Sequence, residues 1–136
     1  MISRGKNKMD DALEALVVTE KKLNRELVAE ILSPYVRLDK DACTIRPLEA
    51  WLGLGIELKI LVCLLARKAM VTLGFGLEVE GATVSETARD INLEQDTVKP
   101  VLRRMYAEGI LDRTQGRRYF VPNDAIERIK GMVSKR

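Results

Sequence analysis

The run from Thr83 to Val121 constrains the fold more tightly than any other part of the chain. Thr83-Val84-Ser85-Glu86 is a capping box, in which a threonine hydroxyl meets the N3 amide and a glutamate returns to the cap. It opens a short helix to about Ile91, with Val84, Ala88 and Ile91 expected inward. Asn92-Leu93 supplies a tight turn, and a second helix follows to about Glu108. Gly109 closes that helix, with Ile110 folding back on Met105. The period then changes. Leu111 to Thr114 and Arg117 to Val121 read as strands separated by Gln115-Gly116, and Pro122 ends the second. Asp124, with Glu127 three residues on, is expected to cap a last helix carrying Ile126, Ile129 and Val133.

The rest of the chain supplies support. Leu13, Leu16, Leu23, Leu27 and Ile31 form an apolar stripe, so one helix is predicted from about Met9 to Leu32, stopped by Ser33-Pro34. A helix of that length has more apolar stripe than a small domain buries, which assigns the five residues to a twofold dimer. Val36 and Leu38 alternate with Arg37 and Asp39, and Thr44-Ile45 resume after Lys40-Asp41-Ala42, which predicts a small hairpin over 35–46. Trp51 and Leu52 are expected to anchor the following connection. Residues 57–73 form the most apolar helix, with Gly74 as its stop. The domains are then a basic tail at 1–8, an N-terminal helix and hairpin at 9–55, and a principal domain at 56–136.

Composition narrows the function. The chain has 136 residues, 46% of them hydrophobic, and no histidine. Histidine bases, histidine triads and histidine-dependent zinc sites are thereby excluded. Cys43 and Cys63 have no redox or metal spacing. No nucleotide-binding loop is present, Gly74-x-Gly76 being too short, so no cofactor is expected and an enzyme is disfavoured. No apolar run reaches membrane-spanning length and the basic start has no apolar stretch behind it, so a cytoplasmic protein without membrane contact is expected.

The net charge is a mild +3, but its distribution is uneven. Residues 10–33 hold six acidic and three basic side chains, and residues 83–96 hold four acidic and one basic. Residues 97–121 hold six basic and two acidic ones, Lys99, Arg103, Arg104, Arg113, Arg117 and Arg118 against Glu108 and Asp112. Such a concentration is the footprint of a nucleic-acid surface.

The pieces Val84-Ser-Glu-Thr-Ala-Arg-Asp-Ile91, Thr97-Val-Lys-Pro-Val-Leu-Arg-Arg-Met105, Glu108-Gly-Ile-Leu111 and Gly116-Arg-Arg-Tyr-Phe-Val121 together resemble the winged helix-turn-helix of bacterial and archaeal transcriptional regulators. With the helix at 57–73 the resemblance covers roughly half the chain. It implies an α+β fold, mainly α with small β-hairpins, carrying an N-terminal helical extension. It also implies a second helix in the major groove and a hairpin wing on the backbone nearby.

At about 100° per residue, Val98, Val101, Leu102 and Met105 gather on one side of the second helix and Pro100, Arg103, Arg104 and Ala107 on the other. Thr97, Lys99, Pro100, Arg103, Arg104, Arg113, Arg117 and Arg118 are the expected DNA-contacting residues. Arginine suits both bidentate reading of guanine and phosphate pairing. Asp96 would repel phosphate unless it caps the helix, and Pro100 fits either that cap or a kinked helix beginning at Gln95. In the second strand Arg117, Tyr119 and Val121 alternate with Arg118 and Phe120, which leaves the core face open. The expected function is sequence-specific binding of double-stranded DNA by a homodimeric transcriptional regulator, with an effector unspecified. The alternative is a winged-helix protein-interaction module of a larger assembly.

Overall fold

The computed structural model describes residues 23–135. Their fold is α+β, with five α-helices and two antiparallel hairpins. The helices are α1 (Arg25–Leu32), α2 (Ile56–Thr72), α3 (Val84–Ile91), α4 (Gln95–Ala107) and α5 (Ile126–Ser134). The strands are β1 (Val36–Asp39), β2 (Thr44–Pro47), β3 (Asp112–Arg113) and β4 (Tyr119–Phe120).

Helix α2 is the axis of the molecule. The nine consecutive residues from Ile60 to Lys68 lie at or below 7% exposure, and α1, α3, α4 and α5 all pack on it. It stops as its sequence predicts. Gly74 adopts φ +74°, and the Phe75 amide donates back to the Met70 carbonyl at 3.0 Å. Cys63 sits inside this core, where burial pushes its thiol up to about 12, so it is a small hydrophobe rather than a nucleophile.

The helix expected over 9–32 does not run through Asn24. Asn24 is extended (φ −88°, ψ 95°) and its side chain accepts from the Leu27 amide at 3.0 Å, so α1 begins only at Arg25. An asparagine N-cap defines a helix start, and it prevails here over the continuous apolar stripe. Ile31 is fully buried, and Leu27 and Leu23 pack partly buried against the same core. These three members of the expected dimer stripe therefore serve the chain's own interior. Leu13 and Leu16 lie outside the described residues.

Between α1 and α2 the expected hairpin forms, with Val36 opposite Pro47 and Asp39 opposite Thr44. Asp39 accepts from the Ala42 amide and from Arg46, and Cys43 turns the chain at φ +55°. A one-turn 3₁₀ helix at Glu49–Gly53 follows. It buries Trp51 but leaves Leu52 76% exposed, because adjacent residues on so short a helix point apart. Leu52 is therefore no anchor.

Beyond α2 a loop leads to the capping box, which forms as read: Glu86 N to Thr83 Oγ1 and Thr83 N to Glu86 Oε1, each 3.1 Å. Asn92 takes the left-handed conformation (φ 59°) that turns the chain from α3 into α4. At the far end of α4, Gly109 (φ +82°) lets the Ile110 amide reach the Met105 carbonyl at 3.1 Å. The last helix departs from expectation. A 3₁₀ turn at Asn123–Ala125 precedes it, so its cap position falls on Ala125 and Asp124 caps nothing.

The loop before α3 is held by Arg67, a buried residue of α2. Its guanidinium donates to the carbonyls of Glu80 (2.8 Å) and Gly81 (3.1 Å) and lies 3.5 Å from Asp90 of α3. Next to it, Lys68 Nζ lies 2.7 Å from Glu80 Oε2. The loop so fixed offers Ala82 to the C-terminal hairpin. Ala82 and Tyr119 exchange both backbone hydrogen bonds (2.9 and 2.8 Å). The approach is close enough that a Cβ on Gly81 would fall 2.8 Å from Arg118 Cβ. Arg67→Met should thus strand buried carbonyls and Asp90 and destabilise the fold by about 3–5 kcal/mol in denaturant unfolding. Arg89→Ala, on an exposed face, should stay within about 0.5 kcal/mol of wild type.

Candidate nucleic-acid interface

Helix α4 starts at Gln95, with Glu94 at its cap and no side-chain cap bond. Asp96 is therefore in the first turn and not the cap. Pro100 lies inside the helix, so the Asp96 carbonyl loses its usual intrahelical donor on an exposed face. Val98, Leu102 and Met105 are buried and Val101 half-buried, while Thr97, Lys99, Pro100, Arg103 and Arg104 are exposed. The apolar and polar sides divide where the helical period puts them.

The hairpin turns at Thr114–Arg117. The Arg117 amide donates to the Thr114 carbonyl (3.0 Å) and the Thr114 amide to the Arg118 carbonyl (2.9 Å). Arg117, not Gly116, takes the left-handed position (φ 62°). A glycine there avoids a penalty of roughly 1–2 kcal/mol, so the turn carries strain at a cationic residue. Tyr119 and Val121 are buried, which settles the core face of the second strand. Arg118 and Phe120 point the other way and are half-buried.

Helix and hairpin enclose an open cleft of about 400 Å³ lined by Lys99, Arg103, Arg113, Arg117, Gln95 and Asp96, floored by Val84 and Tyr119. Lys99, Arg103 and Arg117 make no side-chain hydrogen bond or ion pair among the described residues. Arg113 is positioned by aromatic rings: its guanidinium carbon lies 4.6 Å from the Tyr106 ring centre and 5.8 Å from that of Tyr119. One nitrogen reaches Tyr119 Oη at 3.4 Å. The ring contacts hold the guanidinium in place and leave its remaining donors for an acceptor. The two rings meet edge-on, 6.3 Å apart. Gln95, Asp96, Lys99 and Arg103 recur at i, i+1, i+4 and i+8, which puts all four on one face of α4.

Four of the eight expected contact residues, Thr97, Pro100, Arg104 and Arg118, do not line the cleft. Arg104 pairs with Glu57 at the start of α2 (2.6 Å), an ion pair about half exposed at both ends. Arg118 donates to Glu86 Oε1 (2.6 Å) and to the Gly81 carbonyl (3.1 Å), fastening the hairpin to α3. Thr97 is exposed but does not line the cleft. Tyr106 and Tyr119 are the contributors that sequence reasoning missed. A signal existed, because a turn centred on Gly116 sets Arg113 opposite Tyr119, as observed.

Glu86 is the hinge of this arrangement. Burial pushes its carboxyl up, but the Thr83 amide and the Arg118 guanidinium outweigh that and hold it below its ordinary value of 4.5. A depressed folded-state pKa contributes stability above the unfolded value and loses it as pH falls through the folded one. Stability should therefore decline on acidification below about pH 4.5, and Glu86→Gln should flatten that part of the decline. Urea midpoints measured between pH 3 and 7 (roughly the span in which carboxylates titrate) check this.

In comparisons with known proteins, no family model, no curated protein and no solved structure matches this chain. Among the described residues, no helix is long and apolar enough to cross a membrane.

Proposed function

We propose that the chain binds double-stranded DNA sequence-specifically as a winged helix and regulates transcription, α4 entering the major groove and the β3–β4 hairpin serving as the wing. The observation that carries the reading is the cleft, where Lys99, Arg103, Arg113 and Arg117 converge from two elements against one carboxylate, Asp96. Two further features support it. The α3–turn–α4 unit has the short connection that lets a second helix project. The hairpin is tied at Ala82 and Glu86, so its tip is held beside α4.

Roles follow from chemistry. Arg103, Gln95 and Asp96 share the exposed face of α4, and their types suit guanine, adenine and the cytosine amino group respectively. Lys99 and Arg117 suit phosphate, as do the remaining donors of Arg113. Arg104 and Arg118 leave the contact set because each already holds a carboxylate. With Leu23, Leu27 and Ile31 packed on the chain's own core, the homodimer part of the reading rests on Leu13 and Leu16 alone.

The test is affinity for random and selected duplexes across a salt series. Arg117→Ala should weaken all duplexes alike and flatten log affinity against log salt by roughly 0.9. Arg103→Ala should keep stability within about 0.5 kcal/mol and lose about 1–3 kcal/mol of discrimination at one base position. Arg118→Ala should lower stability and leave the salt slope alone. If the wild type binds no duplex at low salt, the proposal fails and the cleft belongs to an acidic protein partner.

A further inference from the structure

Asp96 lines the cationic cleft beside Lys99, Arg103, Arg113 and Arg117. It also lines a shallow groove along the outer face of α4, again with Lys99 and Arg103 and with Pro100. Whatever lies along this helix from either side meets its carboxylate. The side chain is exposed and makes no hydrogen bond or ion pair among the described residues, although cations stand on both sides of it. No neighbour neutralises it, so its charge acts on the occupant.

A carboxylate in the first turn of a helix gains from the macrodipole. That gain does not need a charge inside the cleft. Glu94, at the cap position of the same helix, supplies one, and it lines a groove on the α3 side instead. Towards duplex DNA, Asp96 has two effects. It repels every phosphate near it, which weakens binding to all sequences alike. In the major groove it also repels most base edges. Guanine presents N7 and O6, adenine N7 beside its amino group, and thymine O4, each an acceptor. Cytosine alone presents a donor, its N4 amino group, with no acceptor next to it. The repulsion is therefore relieved by one base only.

We propose that Asp96 sets specificity by exclusion: it weakens binding to duplexes in general and selects a cytosine at one position of the site. The inference rests on the reading of α4 as a helix that enters the major groove. Arg103 and Gln95 add attraction at their own positions. Asp96 supplies the repulsive element that keeps the converging cations of the cleft from holding any duplex they meet.

Two variants of the full chain test it, Asp96→Ala and Asp96→Asn, each checked by urea unfolding for an intact fold. The probes are a random duplex and the sequences that each protein selects from a random pool. Asp96→Ala should bind the random duplex about two- to fivefold more tightly, as removal of one screened like-charge contact implies. Its selected sequences should lose the cytosine at one position, and with it about tenfold of discrimination there. Asp96→Asn should tighten random binding likewise and move the preference at that position from cytosine to adenine, whose N6 and N7 an amide meets bidentately. A purely structural contribution to the start of the helix would change the urea midpoint and leave base preference alone. The proposal is overturned if both variants select the same sequences as the wild type, or if neither binds the random duplex more tightly. Those outcomes require a wild type that binds DNA, and they remove the role of Asp96 alone. A wild type that binds no duplex at low salt overturns the reading of α4 and this inference with it.

Discussion

A single buried guanidinium organises the half of the molecule that carries the cleft. Arg67 belongs to the most enclosed helix, where an unpaired cation would be costly, and its partners are fixed accordingly. Two backbone carbonyls of the 80–81 loop and the Asp90 carboxylate satisfy it. Because that loop cannot wander, Ala82 stands where the hairpin can pair with it, and Thr83 stands where α3 can start. Glu86 then receives Arg118 from the hairpin while its own oxygen also closes the capping box. The cleft is thus built from the inside outwards: core cation, loop, bridge, hairpin, tip.

The same bookkeeping of charge explains which cations face solvent free of partners. Sequence composition counts six basic residues between 97 and 121 as equals. The fold divides them. Arg104 and Arg118 neutralise Glu57 and Glu86, Arg113 is laid on two tyrosine rings, and Lys99, Arg103 and Arg117 remain. A half-exposed pair such as Arg104–Glu57 adds little stability, but it removes a charge from the field of α4. The unpaired cations of this stretch therefore gather in the cleft between α4 and the hairpin tip.

What the sequence made legible was local. The capping box, the Asn92-Leu93 turn, the Gly109 stop and the Gln115-Gly116 turn each depend on residues a few positions apart, and each forms. The division of α4 into a buried and an exposed side follows from period alone. The failures are long-range or competitive. Glu57 is 47 positions from Arg104 and Glu86 is 32 from Arg118, and no spacing rule links them. Asn24 lay within an apolar repeat that argued for continuity, and its capping role emerges only in the fold. Asp124 lost its capping role to a 3₁₀ turn, and Leu52 was turned outwards by its neighbour Trp51. No spacing rule marks Arg67 as the residue that holds a loop 13 positions on.

The Ala82–Tyr119 bridge joins positions far apart in the chain, whereas α3 and α4 are neighbours in sequence and pack directly. Loop closure must precede any reward from such a distant pair. Folding should accordingly assemble α2, α3 and α4 first and dock the hairpin afterwards. The reverse holds for opening: two backbone bonds, the Arg118 contacts and the buried Tyr119 and Val121 hold the hairpin, so its release can precede global unfolding. The cleft would then exist only in the last-formed state of the molecule, and a chain retaining its helical core could lose it entirely.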